Sequence, residues 1–415
     1  MKTLKFKLHK LNKKQYLYLR DMSHYSNNLY NYALFIVKKY FEETNKYIGY
    51  NKLEKEVKSN DNYKLLPAQS AQQILKLLDK DMRSFFSLLK RKHNGSYAGN
   101  VNLPRFKKKG GAFNIIYTYQ NCTIKNNKIN LYISKEYKKI NSEKIEIPFT
   151  YPLDGKLKQI IVKPFNGGDF FEIYIQYEEN KKEKEKLNKD KYLSIDLGLN
   201  NLATIVDTSG HQFILNGKPL KSYNAFYNKK KAQIKSELKL KNNKNWSKKL
   251  SKIENKRKWF IDNIFNQYVS FIVKHCKKND IGNVIIGYNE TWKQNINLGK
   301  KNNQKFMDIP FYKFKMKLKN KCEQNNISFE LQEESYTSKC DALGKEKIKK
   351  HDMYMGKRIK RGLFQSSTNK FINADVNGSL NIMRKVIGDD FIQPIEGLMF
   401  NPIKINNFNK NFNKF

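Results

Sequence analysis

The chain has 415 residues, with 81 Lys and Arg against 38 Asp and Glu, which gives a formal net charge of +43 at pH 7. Its lysines are spread along the chain among 25 Tyr and 27 Phe, a mixture suited to neutralising phosphates and stacking on bases. No apolar run reaches the roughly 18 residues of a membrane span, and no secretory leader is expected. The four cysteines are far apart in sequence, so we predict neither a disulfide framework nor a cysteine metal knot, and we expect a reducing cytosol.

The N-terminal part of the chain predicts a helical segment set between short strands. An alternating strand opens the sequence at 1–12, and apolar residues at helical spacing predict helices over 13–43 and 67–92. From Phe113 to Glu179 the pattern changes to short apolar runs typical of a small β-barrel. These runs are 115–117, 129–133, 145–147, 159–162 and 170–177.

A basic loop lies between these two patterns. Its cations are Arg105, Lys107, Lys108 and Lys109, and two glycines follow them. Such a loop is either a solvated connector or a contact for nucleic-acid phosphates.

The first candidate functional motif follows a charged linker. The run 178–190 has no apolar periodicity, so we place a domain boundary at 185–191. Tyr192 to Ile195 then predicts a buried strand that ends at Asp196, and 202–206 predicts a second strand. Asp196 is either a turn residue at a strand end or a functional carboxylate.

The middle of the chain predicts two long helices and two more strands. The helices cover 222–242 and 247–278, and the apolar run Val284 to Ile286 predicts a strand followed directly by Gly287. The last strand, 327–331, ends just before two adjacent glutamates, Glu333 and Glu334.

A second isolated aspartate, Asp375, stands at the start of an amphipathic helix. Taken alone, it is a candidate for the helix N-cap. Carboxylates at the end of a central strand and the start of a packing helix can also converge on divalent cations. Two metals about 4 Å apart can clamp the attacking and leaving oxygens of a phosphodiester. Asp196 and Asp375 together therefore predict a nuclease site.

The stretch D-V-N-G-S-x-N-I that begins at Asp375, with Tyr336-Thr337-Ser338 upstream, resembles the TnpB family. These are transposon-encoded, RNA-guided nucleases related to Fanzor proteins and small type V CRISPR effectors. The resemblance is sharpest from about 192 to 386 and implies an α/β and β multidomain fold. Its implied parts are a RuvC-type, RNase H-like nuclease domain at 191–340 and 372–390, a wedge-like β-barrel at 1–12 and 101–185, and a helical recognition insertion at 13–100.

The resemblance also implies a third carboxylate, which this sequence does not have in the usual place. That glutamate normally follows the strand at 284–286, where this chain has Gly287. Fanzor proteins and some TnpB relatives instead use a glutamate beside the Thr-Ser pair, which matches Glu334 here. Glu333 is the runner-up, and Glu290 is a third candidate on the loop past the strand. The implied catalytic and metal-ligating residues are Asp196, Glu334 and Asp375, which would hold two Mg²⁺ ions.

Family members often carry a zinc ribbon before the last aspartate, and its ligands are missing here. Cys340 stands at the position of the first cysteine, but Leu343 replaces its C-x-x-C partner, and 362–367 contains no second pair. One thiolate cannot form a tetrahedral site, so no zinc is predicted. The insert 341–371 is expected to be held by packing or to be mobile. The tail 391–415 is low in complexity and predicted to be disordered.

The resemblance implies an RNA-guided DNA endonuclease whose partners are a guide RNA and target double-stranded DNA. It places the basic loop at 103–109 near nucleic acid, and Lys357, Arg358 and Arg361 of the insert would suit contact with DNA or RNA, or form a solvated loop. We expect a prokaryotic, cytoplasmic, nucleoid-associated monomer that is not bound to a membrane. Two alternatives remain: a nuclease-inactive, RNA-guided DNA-binding repressor and a guide-independent transposase.

Overall fold

The structure is a computed structural model that describes residues 1–8, 11–142, 144–180, 186–289, 308–392 and 401–406. The chain divides into two compact units, 1–182 and 183–415. Each unit has buried apolar side chains of its own. Among the residues that the structure describes, no helix is long and apolar enough to cross a membrane.

Two long helices of the first unit match the predicted helical segments 13–43 and 67–92. The first begins at an Asn12 cap, whose side chain accepts a hydrogen bond from the Gln15 amide, while the Gln15 side chain accepts one from the Asn12 amide. Two shorter helices between the long ones were not predicted. The helices are α1 (Lys13–Thr44), α2 (Tyr50–Val57), α3 (Asp61–Leu65), α4 (Ala68–His93) and α5 (Lys135–Lys138).

The strands of the first unit form two antiparallel sheets, where we had expected one small barrel. In the described residues, one sheet has the order β1-β7-β6-β2 and the other the order β3-β4-β5. The long strands β6 and β7 pair with each other and with the outer strands of their sheet, whereas β3, β4 and β5 have four residues each and pair among themselves. The strands are β1 (Lys2–Lys7), β2 (Ile115–Thr118), β3 (Cys122–Lys125), β4 (Lys128–Leu131), β5 (Ile145–Pro148), β6 (Gly155–Phe165) and β7 (Phe170–Glu179).

The second unit is built on a six-stranded sheet in the order β12-β11-β8-β9-β10-β16. Strands β8, β9 and β10 form an antiparallel meander, and β11 and β12 continue the sheet parallel to β8. The strands are β8 (Asn188–Leu197), β9 (Asn201–Asp207), β10 (Gln212–Asn216), β11 (Ile281–Tyr288), β12 (Ser328–Glu333) and β16 (Ile403–Ile405).

Helices cover both faces of this sheet, which explains the unbroken apolar run in β11. Val284 and Ile286 belong to the apolar core that includes α7 and α8, whereas Ile285 packs with Ile382 and Met383 of α9. Successive strand residues point to opposite faces, so a strand buried on both sides has no polar alternation. The helices are α6 (Lys218–Asn242), α7 (Lys248–Lys278), α8 (Phe311–Gln324) and α9 (Ala374–Ile387).

Two segments of the second unit contain strands that the sequence did not predict. The segment 341–371, expected to be held by packing or to be mobile, contributes to a three-stranded sheet of β13 (Lys357–Lys360), β14 (Leu363–Gln365) and β15 (Phe371–Ile372). In the predicted disordered tail 391–415, β16 pairs in parallel with β10, and Ile405 lies in the core. The apolar residues of β16 complete the sheet edge, which outweighs the low complexity around them.

Candidate active site

Asp196 lies inside the central strand of the six-stranded sheet, near its carboxyl end. It stands opposite Thr204 of β9 in the antiparallel ladder, so it is not a turn residue. On its other side, β8 pairs with β11 up to Ile195. A half-buried carboxylate is thereby fixed at the edge where β8 and β11, which are parallel, both end.

Asp375 lies in the first turn of α9 and is not the helix N-cap. That position belongs to Asn373, whose side chain accepts hydrogen bonds from the amides of Asp375 and Val376. The Asp375 carboxylate accepts a hydrogen bond from Nδ2 of Asn201 (2.6 Å), the first residue of β9. The cap therefore leaves the Asp375 side chain available for another role, and Asn201 orients it.

Small residues at their contact bring α9 close to β8. Ser194 Oγ lies 2.8 Å from the Ser379 carbonyl oxygen and 2.9 Å from Ser379 Oγ. At Gly378, an added Cβ would lie 2.8 Å from Oδ2 of Asp196, which is closer than side-chain carbons approach. The glycine thus allows the helix that carries Asp375 to pack directly against the Asp196 carboxylate.

Glu334 follows the last residue of β12 and reaches across the neighbouring strand. Its amide donates to the Tyr288 carbonyl oxygen (3.2 Å), and its own carbonyl accepts from Thr337 Oγ1 (2.8 Å). A Cβ added to Gly287 would lie 2.5 Å from Oε2 of Glu334. The Glu334 carboxylate therefore occupies the space into which a side chain at 287 would project.

The electrostatics connect the three carboxylates. Burial, together with the negative charges of Glu334 and Asp375, raises the pKa of Asp196 well above its ordinary value, and the positive charge of Arg358 opposes this. Burial raises the pKa of Glu334 to about 6, with Lys315 opposing and Glu333 adding to the rise. Half-buried carboxylates that repel one another form a donor set of hard oxygens, which is what divalent cations such as Mg²⁺ prefer.

The other two candidates for the third carboxylate are placed differently. Glu333 is exposed and accepts hydrogen bonds from Lys385 Nζ (2.9 Å) and the Ser335 amide (2.6 Å). Partial burial acts against its ionisation, but these hydrogen bonds hold the pKa of Glu333 below its ordinary value. Glu290 lies outside the described residues.

The predicted nucleic-acid contacts are mostly exposed, with one exception. Arg105, Lys108, Lys109, Lys357, Arg358 and Arg361 have exposed side chains. Lys107 is half-buried instead, with its Nζ 3.9 Å from the centre of the Tyr30 ring and 4.0 Å from that of Phe113. Burial lowers the pKa of Lys107, although Asp81 opposes this. Its ammonium group already has partners, so we do not assign it to phosphate.

The structure also contains a His-Asp cluster that the sequence did not indicate. Asp207, at the end of β9, is fully buried, and its Oδ2 lies 2.7 Å from Nε2 of His275 and 2.9 Å from Nδ1 of His211. Its Oδ1 accepts hydrogen bonds from the amides of Ser209 and His211. The three side chains are close enough to share a metal ion. However, the hydrogen bonds that close the β9–β10 turn already satisfy the carboxylate, so we interpret the cluster as structural.

Two family models match the chain, and most of the matched residues lie in the second unit. The model of the family described as OrfB_IS605, probable transposase, matches residues 174–293. The model described as Cas12f1-like, TNB domain, matches residues 311–382. No curated protein matches the chain significantly.

One solved structure supports the fold. The chain is similar to a protein in the cryo-EM structure of the Cas12f1-sgRNA-target DNA complex, with a TM-score of 0.58 and 15% sequence identity, over 90% of this chain and 83% of that chain. A second match, to a CRISPR-Cas12f ternary complex, has 15% identity and a TM-score of 0.36 over 90% of this chain and 85% of that chain.

Proposed function

The chain is a TnpB-family, Cas12f-like protein, and on that premise we propose that it is an RNA-guided DNA endonuclease that cuts with the Asp196, Glu334 and Asp375 carboxylates. The observation that carries the proposal is the convergence of these residues from a central strand, the end of an edge strand and the start of a helix. The electrostatic interaction of Asp196 with both of the others supports it.

The strand order of the second unit supports an RNase H-like nuclease domain. In the antiparallel meander of β8, β9 and β10, extended by the parallel strands β11 and β12, two of the three carboxylates lie at the same end of the sheet. Asp196 lies near the end of β8, and Glu334 lies just past the end of β12. Carboxyl ends of parallel strands are where ligands bind in sheets of this kind.

The three carboxylates would hold two Mg²⁺ ions, which would activate a water molecule and stabilise the leaving oxygen of a phosphodiester. Within the chain, Asn201 orients the Asp375 carboxylate by its hydrogen bond. Lys315 and Arg358 carry positive charge near Glu334 and Asp196 respectively. Such cations are suited to the phosphate backbone of a substrate.

The retained acidic residues favour a nuclease over an RNA-guided repressor without nuclease activity. A repressor would tolerate loss of the carboxylates, whereas here Gly287 and Gly378 leave room for two of them. The proposal is tested by purifying the protein with RNA from its own locus, sequencing the bound RNA, and assaying Mg²⁺-dependent cleavage. RNA of discrete length favours a guided enzyme, and active protein free of RNA would favour a guide-independent transposase.

Asp196→Ala and Asp375→Ala should each lower the cleavage rate by roughly 10⁴-fold or more, the order seen when one member of a catalytic unit is removed. Binding of RNA and of matched DNA should persist, because it depends mainly on dispersed lysines and base pairing. Single-turnover cleavage and filter binding measure the two effects. Asp190→Ala is the matched control, because Asp190 is an exposed aspartate of β8, the strand that carries Asp196. Wild-type cleavage in either variant would remove that residue from the site.

We also propose that the first unit holds RNA, partly through the exposed cations of the loop at 103–109. Lys108→Ala with Lys109→Ala should weaken RNA binding and lower the salt dependence of log K by about 2, roughly 1 for each lysine that no longer neutralises a phosphate. Lys107→Ala should leave that dependence unchanged and instead lower the melting temperature, because its ammonium group packs on two rings. An unchanged salt dependence in the double variant would contradict the proposed role of this loop.

A further inference from the structure

The segment 341–371 is a folded part of the second unit. Phe364 of β14 is buried and shares an apolar cluster with Leu343, Val376 and Leu380. The last two residues belong to α9, the helix that carries Asp375. Whatever holds this segment together therefore also determines how it packs beside the candidate active site.

A zinc ion, which the family resemblance implies for this segment, does not fit the residues present. Cys340 is buried, and its thiol donates weakly to the carbonyls of Lys347 and Lys349 at 3.7 and 3.5 Å. Leu343 lies in the apolar cluster, and 362–367 contains no cysteine. The described cysteines are all free and buried. A structural zinc site needs four Cys or His ligands, and this set of donors does not supply them.

The carboxylate of Asp341 joins two turns of this segment, the turn after Cys340 and the turn after β14. Asp341 is fully buried, directly after Cys340. Its Oδ2 accepts hydrogen bonds from Ser366 Oγ (2.8 Å), the Ser367 amide (2.7 Å) and Ser367 Oγ (2.8 Å). Its Oδ1 accepts one from the Leu343 amide (3.1 Å). One side chain thus ties the turn after Cys340 to the turn after β14.

Further contacts fix this carboxylate in place. The Asp341 amide donates to Glu346 Oε2 (2.7 Å), and Oε1 of the same buried glutamate accepts from the Met355 amide (3.0 Å). Asn377 of α9 donates to the Cys340 carbonyl (2.8 Å) and accepts from the Ala342 amide (2.9 Å). Asp341 is therefore held between its own loop and the helix that carries Asp375.

We propose that the Asp341 carboxylate replaces the zinc ion of a zinc ribbon, joining the two loops without metal and so positioning the β13–β14 hairpin. Hydrogen bonds to an ionised acceptor are about twice as strong as neutral ones. Separation of the two turns would also break three hydrogen bonds to Asp341 at once, those from Ser366 Oγ, the Ser367 amide and Ser367 Oγ.

The hairpin that Asp341 positions carries Arg358, one of the predicted nucleic-acid contacts. Arg358 pairs with Phe364 in the hairpin register. At the base of the hairpin, a Cβ added to Gly356 would lie 2.5 Å from the Phe364 ring and 3.0 Å from Cβ of Asp341. The hairpin thus rests directly on Asp341. We assign Asp341 as a positioning residue for Arg358, a step that rests on the proposed nuclease function.

Hydrogen exchange of the purified protein tests the metal-free anchor without reference to cleavage. A zinc chelator should leave protection of 341–371 unchanged. Asp341→Ala should increase exchange there by roughly tenfold or more, equivalent to about 1.4 kcal/mol less local stability, while 192–206 stays protected. Asp352→Ala, an exposed aspartate of the same segment, should change nothing. Stoichiometric zinc, chelator-sensitive protection, or unchanged exchange in Asp341→Ala would overturn the proposal.

Two further variants cover the case in which Asp341→Ala does not fold. Asp341→Asn keeps the volume but has one acceptor oxygen, and Ser366→Ala with Ser367→Ala removes two donors while keeping the carboxylate. Both should give intermediate increases in exchange of the segment, and protection equal to wild type in both would contradict the anchor.

The positioning role is tested by a double-mutant cycle on cleavage. Asp341→Asn should lower the cleavage rate about tenfold when Arg358 is present and have little further effect in Arg358→Ala, because both act through one contact. Fully additive effects would contradict the role for Arg358. The exchange experiment stands apart from this, so an inactive wild-type protein would refute the proposed function and leave the metal-free anchor still testable.

Discussion

Glu334→Ala should lower cleavage of a matched duplex as fully as Asp196→Ala, by roughly 10⁴-fold or more. A site for two divalent cations needs several carboxylates, and loss of one ligand can empty a metal position. Glu334 is the residue whose charge acts on Asp196 and whose carboxylate fills the space beside Gly287. Single-turnover rates of the RNA-bound variants on one target measure the effect.

The two other candidate glutamates, Glu333 and Glu290, are the controls for this result. Glu333→Ala should keep substantial activity, because that side chain is exposed and bonded to Lys385 and Ser335. Glu290→Ala should also remain active. Wild-type rates in Glu334→Ala, with loss in either of the other two, would assign the third ligand elsewhere.

Gly287→Ala should lower the cleavage rate by about 10²-fold, the order expected when a catalytic group is misplaced by about 1 Å. The new Cβ would lie 2.5 Å from Oε2 of Glu334 and 2.7 Å from Cδ1 of Ile382, so the carboxylate or the α9 side chain must move. Because the variant keeps every proposed ligand, a loss of activity would come from displaced ligands and not from a missing carboxylate. Cleavage rates and thermal unfolding of the same preparation measure activity and stability. A stable variant that cuts at the wild-type rate would contradict the proposed clash between a side chain at 287 and Glu334.

Because position 287 lies so close to the Glu334 carboxylate, the third carboxylate can be moved from position 334 to position 287 by mutation. Gly287→Asp combined with Glu334→Ala returns a carboxylate to the space that Glu334 occupies, from the position where most family members carry a glutamate. It should cut at least about tenfold faster than Glu334→Ala alone, since one ligand is restored even in imperfect geometry. A folded double variant with no recovery would contradict the idea that the two positions serve one ligand site.

The sequence indicated the acidic residues better than their surroundings. Asp196 and Asp375 stand out because charges are rare inside buried strands and packed helices. Glu334 required the family resemblance, since two adjacent glutamates at a strand end look alike in sequence. The structure places Glu333 toward Lys385 and Glu334 toward Gly287, which supports the choice that the resemblance implied.

Long-range pairing explains what the sequence did not predict. Strand β16 has three residues in an Asn-rich tail, and its structure depends on β10, far back in the chain. Lys107 belongs to a basic run, yet Tyr30 and Phe113 surround its ammonium group. Likewise, nothing in the sequence around Asp341 indicates that it is buried, because its partners Ser366 and Ser367 reach it only in the folded chain. Local patterns do not contain these contacts.

Single-turnover cleavage of matched and scrambled duplexes is the most direct test of the central claim. The protein is purified with its locus RNA, and wild type is compared with Asp196→Ala in Mg²⁺ and in chelator. We expect wild type to cut only the matched duplex, only with Mg²⁺, while Asp196→Ala binds that duplex without cutting it. Equal cutting of both duplexes, or undiminished cutting by Asp196→Ala, would contradict the account.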